Sequence, residues 1–149
     1  ALRFARAEPE DTEALRRLAK ASEAHWGYDE AVMEHFDAGF NVTEDFIRCN
    51  PVYAAGDRGC PAAFWGIRQD RDAWELEYFY VAEERLGRGL GKQMWEHMTG
   101  WCGKQEICRI HFVTSPQAVG FYRKMGAVRD GETRSPVDGR PVPHFVYDV

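Results

Sequence analysis

Residues 85–98 read RLGRGLGKQMWEHM and set Gly87, Gly89 and Gly91 at alternate positions just before a helical pattern. Glycine opens a helix poorly, costing about 1 kcal/mol against alanine. Three of them here mean either that the backbone must take positive φ angles or that a bulky anion must approach it closely. Spacing excludes two phosphate loops. A Walker A loop aligned on Gly91-Lys92 would put Leu86 where the first glycine belongs and Gln93 where the hydroxyl belongs. A Gly-x-Gly-x-x-Gly fingerprint started at Gly87 or Gly89 puts Lys92 or Met94 in its last slot. What survives is a strand, a short glycine loop and a helix starting near Leu90. The first N–H groups of that helix have no internal partner, and its dipole adds about half a positive charge. Arg85, Arg88 and Lys92 add positive charge nearby. Taken alone, the pattern fits a tight corner as well as an anion site.

Upstream of the loop, VYAA, AAFWGIRQ and WELEYFYV are β-rich and separated by the turn sequences GDRG and DRD, which predicts an antiparallel meander. Before it, LRFARA alternates as a first strand. EPEDTEALRRLAKASEAHW then reads as a helix with Pro9 at its start and Leu15, Leu18, Ala19 and Ser22 at helical spacing. DEAVMEHF, closed by Gly39, and TEDFIRC, ended by Asn50-Pro51, are shorter helical pieces. Downstream, LGKQMWEHMTGWC is helical, with Met94, Trp95, Met98 and Trp101 as its packing face. ICRIHFV is a strand in which Cys108 reads as a small core residue. SPQAVGFYRKM is a helix with Ser115 as N-cap and Pro116 at its first position. GAVRD and PHFVYDV are closing strands joined by the turn-rich GETRSPVDGR. The order β-α-α-β-β-β-α-β-α-β-β describes one mixed α/β domain over residues 1–149.

Composition bounds the function. The chain has 149 residues, 44% hydrophobic and 29% charged, with a formal net charge of -5. An acidic domain of this kind argues against a nucleic-acid partner, so an anion must be held by a local backbone device. Cys49, Cys60, Cys102 and Cys108 form no CxxC pair and no zinc-spaced cluster, so no metal is expected, and a reducing cytoplasm suits them better than a disulfide framework. No run approaches the roughly 18 apolar residues of a membrane span, and ALRFARAEPE has no apolar signal region. These features lead us to expect a soluble, cytoplasmic protein.

YFYVAEERLGRGLGKQMWEHM followed by SPQAVGFYRKMGAV resembles the GNAT superfamily of acetyl-coenzyme A-dependent N-acetyltransferases. The family loop is roughly Arg/Gln-x-x-Gly-x-Gly/Ala after a strand ending in aromatic-Val; here it is Leu86-Gly87-Arg88-Gly89-Leu90-Gly91. The later helix is roughly Asn-x-x-Ala-x-x-Phe-Tyr-x-Lys-x-Gly-Phe, matched by Ser115 through Ala118, Phe121-Tyr122, Lys124, Gly126 and Ala127. Leu86, Glu83 and Ser115 depart from the usual Arg/Gln, Pro and Asn. The resemblance implies a GNAT-like fold with a central mixed, largely antiparallel sheet flanked by helices. It also implies that the glycines admit the pyrophosphate of acetyl-coenzyme A, with Leu86 through Lys92, Ser115, Ala118, Phe121 and Lys124 in the cofactor site. The pantetheine arm would run beside the backbone of Phe79 to Val81.

Moving an acetyl group from a thioester to an amine requires a neutral amine, donors for the oxyanion, and help for the departing thiolate. For the base, Glu75 and Glu77 are expected on one strand face with Phe79 and Val81, about 7 Å apart. Glu77 stands where many family members carry a glutamate base; Glu75 or water alone are the alternatives, and both carboxylates also fit a solvated face. Tyr122 aligns with the tyrosine that approaches the thioester sulfur, and a phenol with a pKa near 10 is protonated at neutral pH. His25, Trp26 and Tyr28 end the first helix where this fold forms its acceptor pocket. Arg134 and Arg140 could border it and bind a substrate carboxylate. The expected activity is acetylation of a small-molecule amine. A non-catalytic acyl-coenzyme A sensor and a protein N-acetyltransferase are the other readings. The family often pairs as homodimers.

Overall fold

The computed structural model describes residues 2–149. Its centre is a seven-stranded sheet in the order β1-β2-β3-β4-β5-β7-β6. The strands are β1 (Phe4–Arg6), β2 (Val52–Asp57), β3 (Cys60–Asp70), β4 (Ala73–Val81), β5 (Arg109–Val113), β6 (Val128–Arg134) and β7 (Pro141–Asp148). Every neighbouring pair is antiparallel except β4 and β5, which are parallel and joined by helix α4 (Leu90–Lys104). The other helices are α1 (Thr12–Ala24), α2 (Glu30–Gly39), α3 (Glu44–Cys49) and α5 (Val119–Lys124).

Local chemistry explains the boundaries. The Asp29 carboxylate accepts from the Val32 N–H at 2.9 Å and starts α2; the Thr43 hydroxyl accepts from the Phe46 N–H at 3.0 Å and starts α3. Side chains alternate across β3, so adjacent Phe64 and Trp65, both fully buried, enter different cores. Trp65 and Ile67 pack with Met94, Trp95, Met98 and Cys102 of α4 and with Tyr122 of α5. Phe64 and Tyr78 pack on the other face with Leu15, Leu18 and Ala19 of α1 and Ile47 of α3. Each large side chain buried this way contributes about 1.5–3 kcal/mol.

The expected fold class is observed, and the element order gains one helix, because Glu44–Cys49 forms α3 before β2; four local corrections accompany it. The first helical stretch begins as a 3-10 turn over Pro9–Asp11, because the Asp11 carboxylate accepts from the Glu8 N–H at 2.8 Å. Cys108 is exposed, not core: Ile107, Ile110 and Phe112 supply the buried side chains there, and the buried thiol is Cys102. Ser115 precedes a 3-10 turn over Pro116–Ala118 and makes no side-chain cap bond; the turn is closed by the Ala118 N–H donating to the Ser115 carbonyl at 3.1 Å. β6 runs on to Arg134 through a register shift between Arg129 and Gly131, so the turn before β7 shrinks to residues 135–140.

Candidate active site

β4 and β5 pair only through Trp74 with Ile110 and Glu75 with His111. Past those residues the two parallel strands part, and a gap opens at their carboxyl ends, the usual ligand position in such sheets. Beside the gap Phe79, Trp95, Phe112 and Tyr122 pack ring on ring, with centroids 4.6–6.0 Å apart between neighbours. The Trp95 Nε1 is buried without a hydrogen-bond partner among the described residues.

At the same end of β4, a 3-10 turn over Glu83–Arg85 leads into the glycine loop. Gly87 and Gly89 both have φ of +77°, and Gly89 is the N-cap of α4. A Cβ on either would meet nothing within 4 Å, so these two glycines serve backbone angle and leave open space above it. Gly91 is different. A Cβ there would lie 3.0 Å from the Phe121 ring, so its missing side chain admits α5 rather than an anion. The first helical bond runs from the Gln93 N–H to the Gly89 carbonyl, and among the described residues no backbone acceptor meets the N–H groups from Gly87 to Lys92. Unpartnered donors at a helix N-terminus are suited to an anion. Next to it, Leu2, Arg85, Arg88, Leu90 and Gln93 line a cavity of about 290 Å³ whose charged groups are both cationic. This arrangement fits the phosphates of coenzyme A. A larger concavity of about 430 Å³ does not, because Glu8, Glu10, Asp11 and Glu13 outnumber Arg17 and Arg58 in its lining. Of the remaining cofactor candidates, Phe121 and Ala118 are half-buried, Lys92, Leu86 and Lys124 are exposed, and Leu90 turns into the core.

The expected common face for Glu75, Glu77, Phe79 and Val81 is not observed. Tyr78 pairs with Gly66 and Leu76 with Ile67, so Glu77 is the extra residue of a β-bulge and the alternation slips there. Phe79 and Val81 join the α4 side of the sheet, while Glu75 and Glu77 sit on the α1 side, gripped by Arg68 at 3.0 and 2.7 Å. Burial, then the hydrogen bond with Glu77, raise the Glu75 carboxyl above its ordinary value, with Arg68 opposing. The Val81 carbonyl accepts from the Ser22 hydroxyl at 3.1 Å.

Tyr122 is buried at the mouth of the gap. Burial pushes its phenol well above the ordinary tyrosine value, Thr114 beside it opposes, and the charge of Glu23 adds to the rise. The phenol is therefore protonated across the neutral range.

On the α1 side the structure gathers residues that are remote in sequence. The Tyr28 hydroxyl donates to Gln117 Oε1 at 3.1 Å, and the Arg140 guanidinium lies 4.0 Å from the Tyr28 ring centroid. Beneath them the Tyr80 hydroxyl donates to Glu23 Oε1 at 2.8 Å. Three of the expected acceptor residues stand elsewhere. His25 Nδ1 pairs with Glu83 at 2.9 Å, Trp26 lies edge-on against His25, and Arg134 bonds the Gly139 carbonyl at 3.2 Å. Glu23 escaped the sequence reading, although Leu15, Ala19 and Glu23 recur every four residues on the buried stripe of α1. A carboxylate on a core stripe was the available signal. Among the described residues no three or more His, Cys, Asp or Glu side chains are grouped to hold a metal ion, and no helix is long and apolar enough to cross a membrane.

Comparison with known proteins bears on the family and the fold. The family model of the acetyltransferase (GNAT) family matches residues 12–127. A search of curated proteins found no match. Among solved structures, the PaiA N-acetyltransferase of Thermoplasma acidophilum in complex with coenzyme A is similar at a TM-score of 0.77 and 18% identity, covering 100% of this chain and 99% of that one. The ribosomal-protein-S18-alanine N-acetyltransferase of Escherichia coli gives 0.75 and 16%, covering 100% and 94%. The IAA acetyltransferase of Bacillus cereus gives 0.70 and 16%, covering 100% of both. With both sequence motifs seated on the matching elements and the family model spanning most of its length, this chain belongs to the GNAT acetyltransferase family.

Proposed function

We propose that this protein transfers the acetyl group of acetyl-coenzyme A directly to an amine of a small molecule in the cytoplasm. The observation that carries the reading is the pairing, at one end of the β4–β5 gap, of the free N–H groups of residues 87–92 with the buried, protonated phenol of Tyr122. The backbone cradle, helped by Arg85, Arg88 and Lys92, holds the pyrophosphate. The pantetheine arm lies in the gap along Phe79 to Val81, where the sheet offers backbone groups that β5 leaves unpaired. The amine, once neutral, attacks the thioester carbonyl carbon, and the oxyanion is met by backbone N–H near Phe79. Collapse breaks the C–S bond, and Tyr122 gives its proton to the thiolate.

A small acceptor is favoured over a polypeptide by the bridge from Tyr28 to Gln117 under Arg140, which ties the α1–α2 connection to the turn before α5 across the pocket mouth. A passing peptide would have to part that bridge. The test is a panel of primary amines and of peptides with free N-termini or lysines, assayed for thiol release and acetylated product. Small amines should be consumed with saturation. Turnover confined to peptides would move the chain to the protein-acetylating class, and binding of acetyl-coenzyme A without any turnover would make it a sensor.

A further inference from the structure

We infer that Glu23, at the end of α1, is the base that takes the proton from the acceptor's ammonium group. The inference rests on the transferase reading above and identifies a group that the sequence motifs do not point to. The Tyr80 hydroxyl of β4 bonds this carboxylate, and Arg140 of the turn before β7 and Tyr122 of α5 lie near enough to interact with its charge. Only Tyr80 bonds it, at Oε1. Oε2 has no protein partner, yet it is not sealed from solvent, since the described residues contain no buried unpaired oxygen. One oxygen is thus anchored and the other is open, near the Arg140 guanidinium that lies over the Tyr28 ring. The charge of Glu23 reaches the Tyr122 phenol, so the base and the acid lie near each other.

The rival carboxylates are less suitable. Glu77 and Glu75 each hold an oxygen against the Arg68 guanidinium, at 2.7 and 3.0 Å, and so are spent on an ion pair. Arg140 lies near Glu23 without bonding it. Burial lifts the Glu23 carboxyl above the ordinary glutamate value, which brings it nearer the operating pH, with Tyr80 and Arg140 opposing. In the balanced sequence the ammonium gives one proton to Glu23, which passes it to solvent. The neutral amine forms the C–N bond, the C–S bond breaks, and the thiolate takes the Tyr122 proton. The proton lost by the new amide nitrogen restores the phenol.

The experiment is kcat/KM against pH for the parent, Glu23→Gln and Tyr80→Phe, using one alkylamine and one amine of low pKa, with acetyl-coenzyme A affinity measured in parallel. Glu23→Gln should lose on the order of 10²-fold with the alkylamine. It should lose much less with the low-pKa amine, shed the acidic limb, and bind acetyl-coenzyme A as the parent does. Tyr80→Phe removes a bond that lowers the Glu23 pKa, so its acidic limb should move to higher pH rather than vanish. An acidic limb that survives Glu23→Gln, or an equal loss with both amines, overturns the assignment and leaves the transferase reading standing. A parent that binds acetyl-coenzyme A and consumes no amine overturns both.

Discussion

The two halves of the site are built differently. The cofactor half, from Val81 to Lys92, is local: one strand end, one loop and one helix start, with backbone N–H groups as the binding device. The proposed acceptor half draws Glu23, Tyr28, Tyr80, Gln117, Tyr122 and Arg140 from across the chain and would bind through side chains. Backbone devices constrain the residues that make them, since positive φ selects glycine. Side-chain pockets constrain only positions that folding later brings together. The first kind leaves a mark in a short stretch of sequence, whereas the second does not.

The strongest way to break this contrast is at Gly89. A Cβ there meets no neighbour, so the fold of Gly89→Leu should survive with about 1–2 kcal/mol of backbone strain from the left-handed φ. Acetyl-coenzyme A at 100 times its Kd should raise the stability of the parent by about 2.7 kcal/mol, and Gly89→Leu should lose that rise at the same concentration. Thermal unfolding with and without ligand measures both effects. A retained rise would mean that the backbone cradle is not the phosphate site.

Gly91 sharpens the contrast within the loop itself. Gly91→Ala places a methyl 3.0 Å from the Phe121 ring, and such overpacking costs about 1–3 kcal/mol, partly offset by the better helix propensity of alanine. Its melting temperature without ligand should fall, while the ligand-induced rise stays close to that of the parent. If instead Gly91→Ala loses the rise and keeps the melting temperature, the roles given to Gly89 and Gly91 are reversed.

Much of the fold was legible for the same reason that the loop was. The meander, α4 and the glycine turn are announced by alternation, helical spacing and glycine, all local signals. What the sequence hid were slips of register. The bulge at Glu77 carries no marker in WELEYFYV, yet it puts Glu75 and Glu77 on the opposite face from Phe79 and gives both carboxylates to Arg68. The shift near Gly131 likewise carried β6 on through residues that read as turn and left Arg134 holding the turn instead of the pocket. Cys108 was misplaced by one step of strand phase. Glu23 was readable on the α1 stripe, but its partners Tyr80 and Arg140 lie too far along the chain to suggest one another.

The smallest expected effect separates the pH dependence of the fold from that of the site. The Trp65 indole N–H donates to His97 Nδ1 at 3.0 Å, which requires that nitrogen to be unprotonated, and burial followed by the charge of Lys104 lowers the His97 pKa. The unfolded chain therefore takes up the proton first. The contribution of His97 is complete above the unfolded value, near pH 6.5, and declines as pH falls below it. The melting temperature of the parent should drop by a few degrees between about pH 7.5 and 5.5. His97→Gln, which can still accept from Trp65, should show a smaller drop and an unchanged kcat/KM profile. An identical drop in both proteins would remove His97 from the account.

The most direct test of the central claim is Tyr122→Phe, which keeps the buried ring and removes only the proton it is held to deliver. The variant should bind acetyl-coenzyme A within a few-fold of the parent and unfold within about 1 kcal/mol of it, the size of one net hydrogen bond. Turnover with any accepted amine should fall by roughly 10²-fold or more, and less for an acyl donor whose leaving group has a lower pKa. Equal turnover by Tyr122→Phe and the parent, at equal stability, would contradict the account.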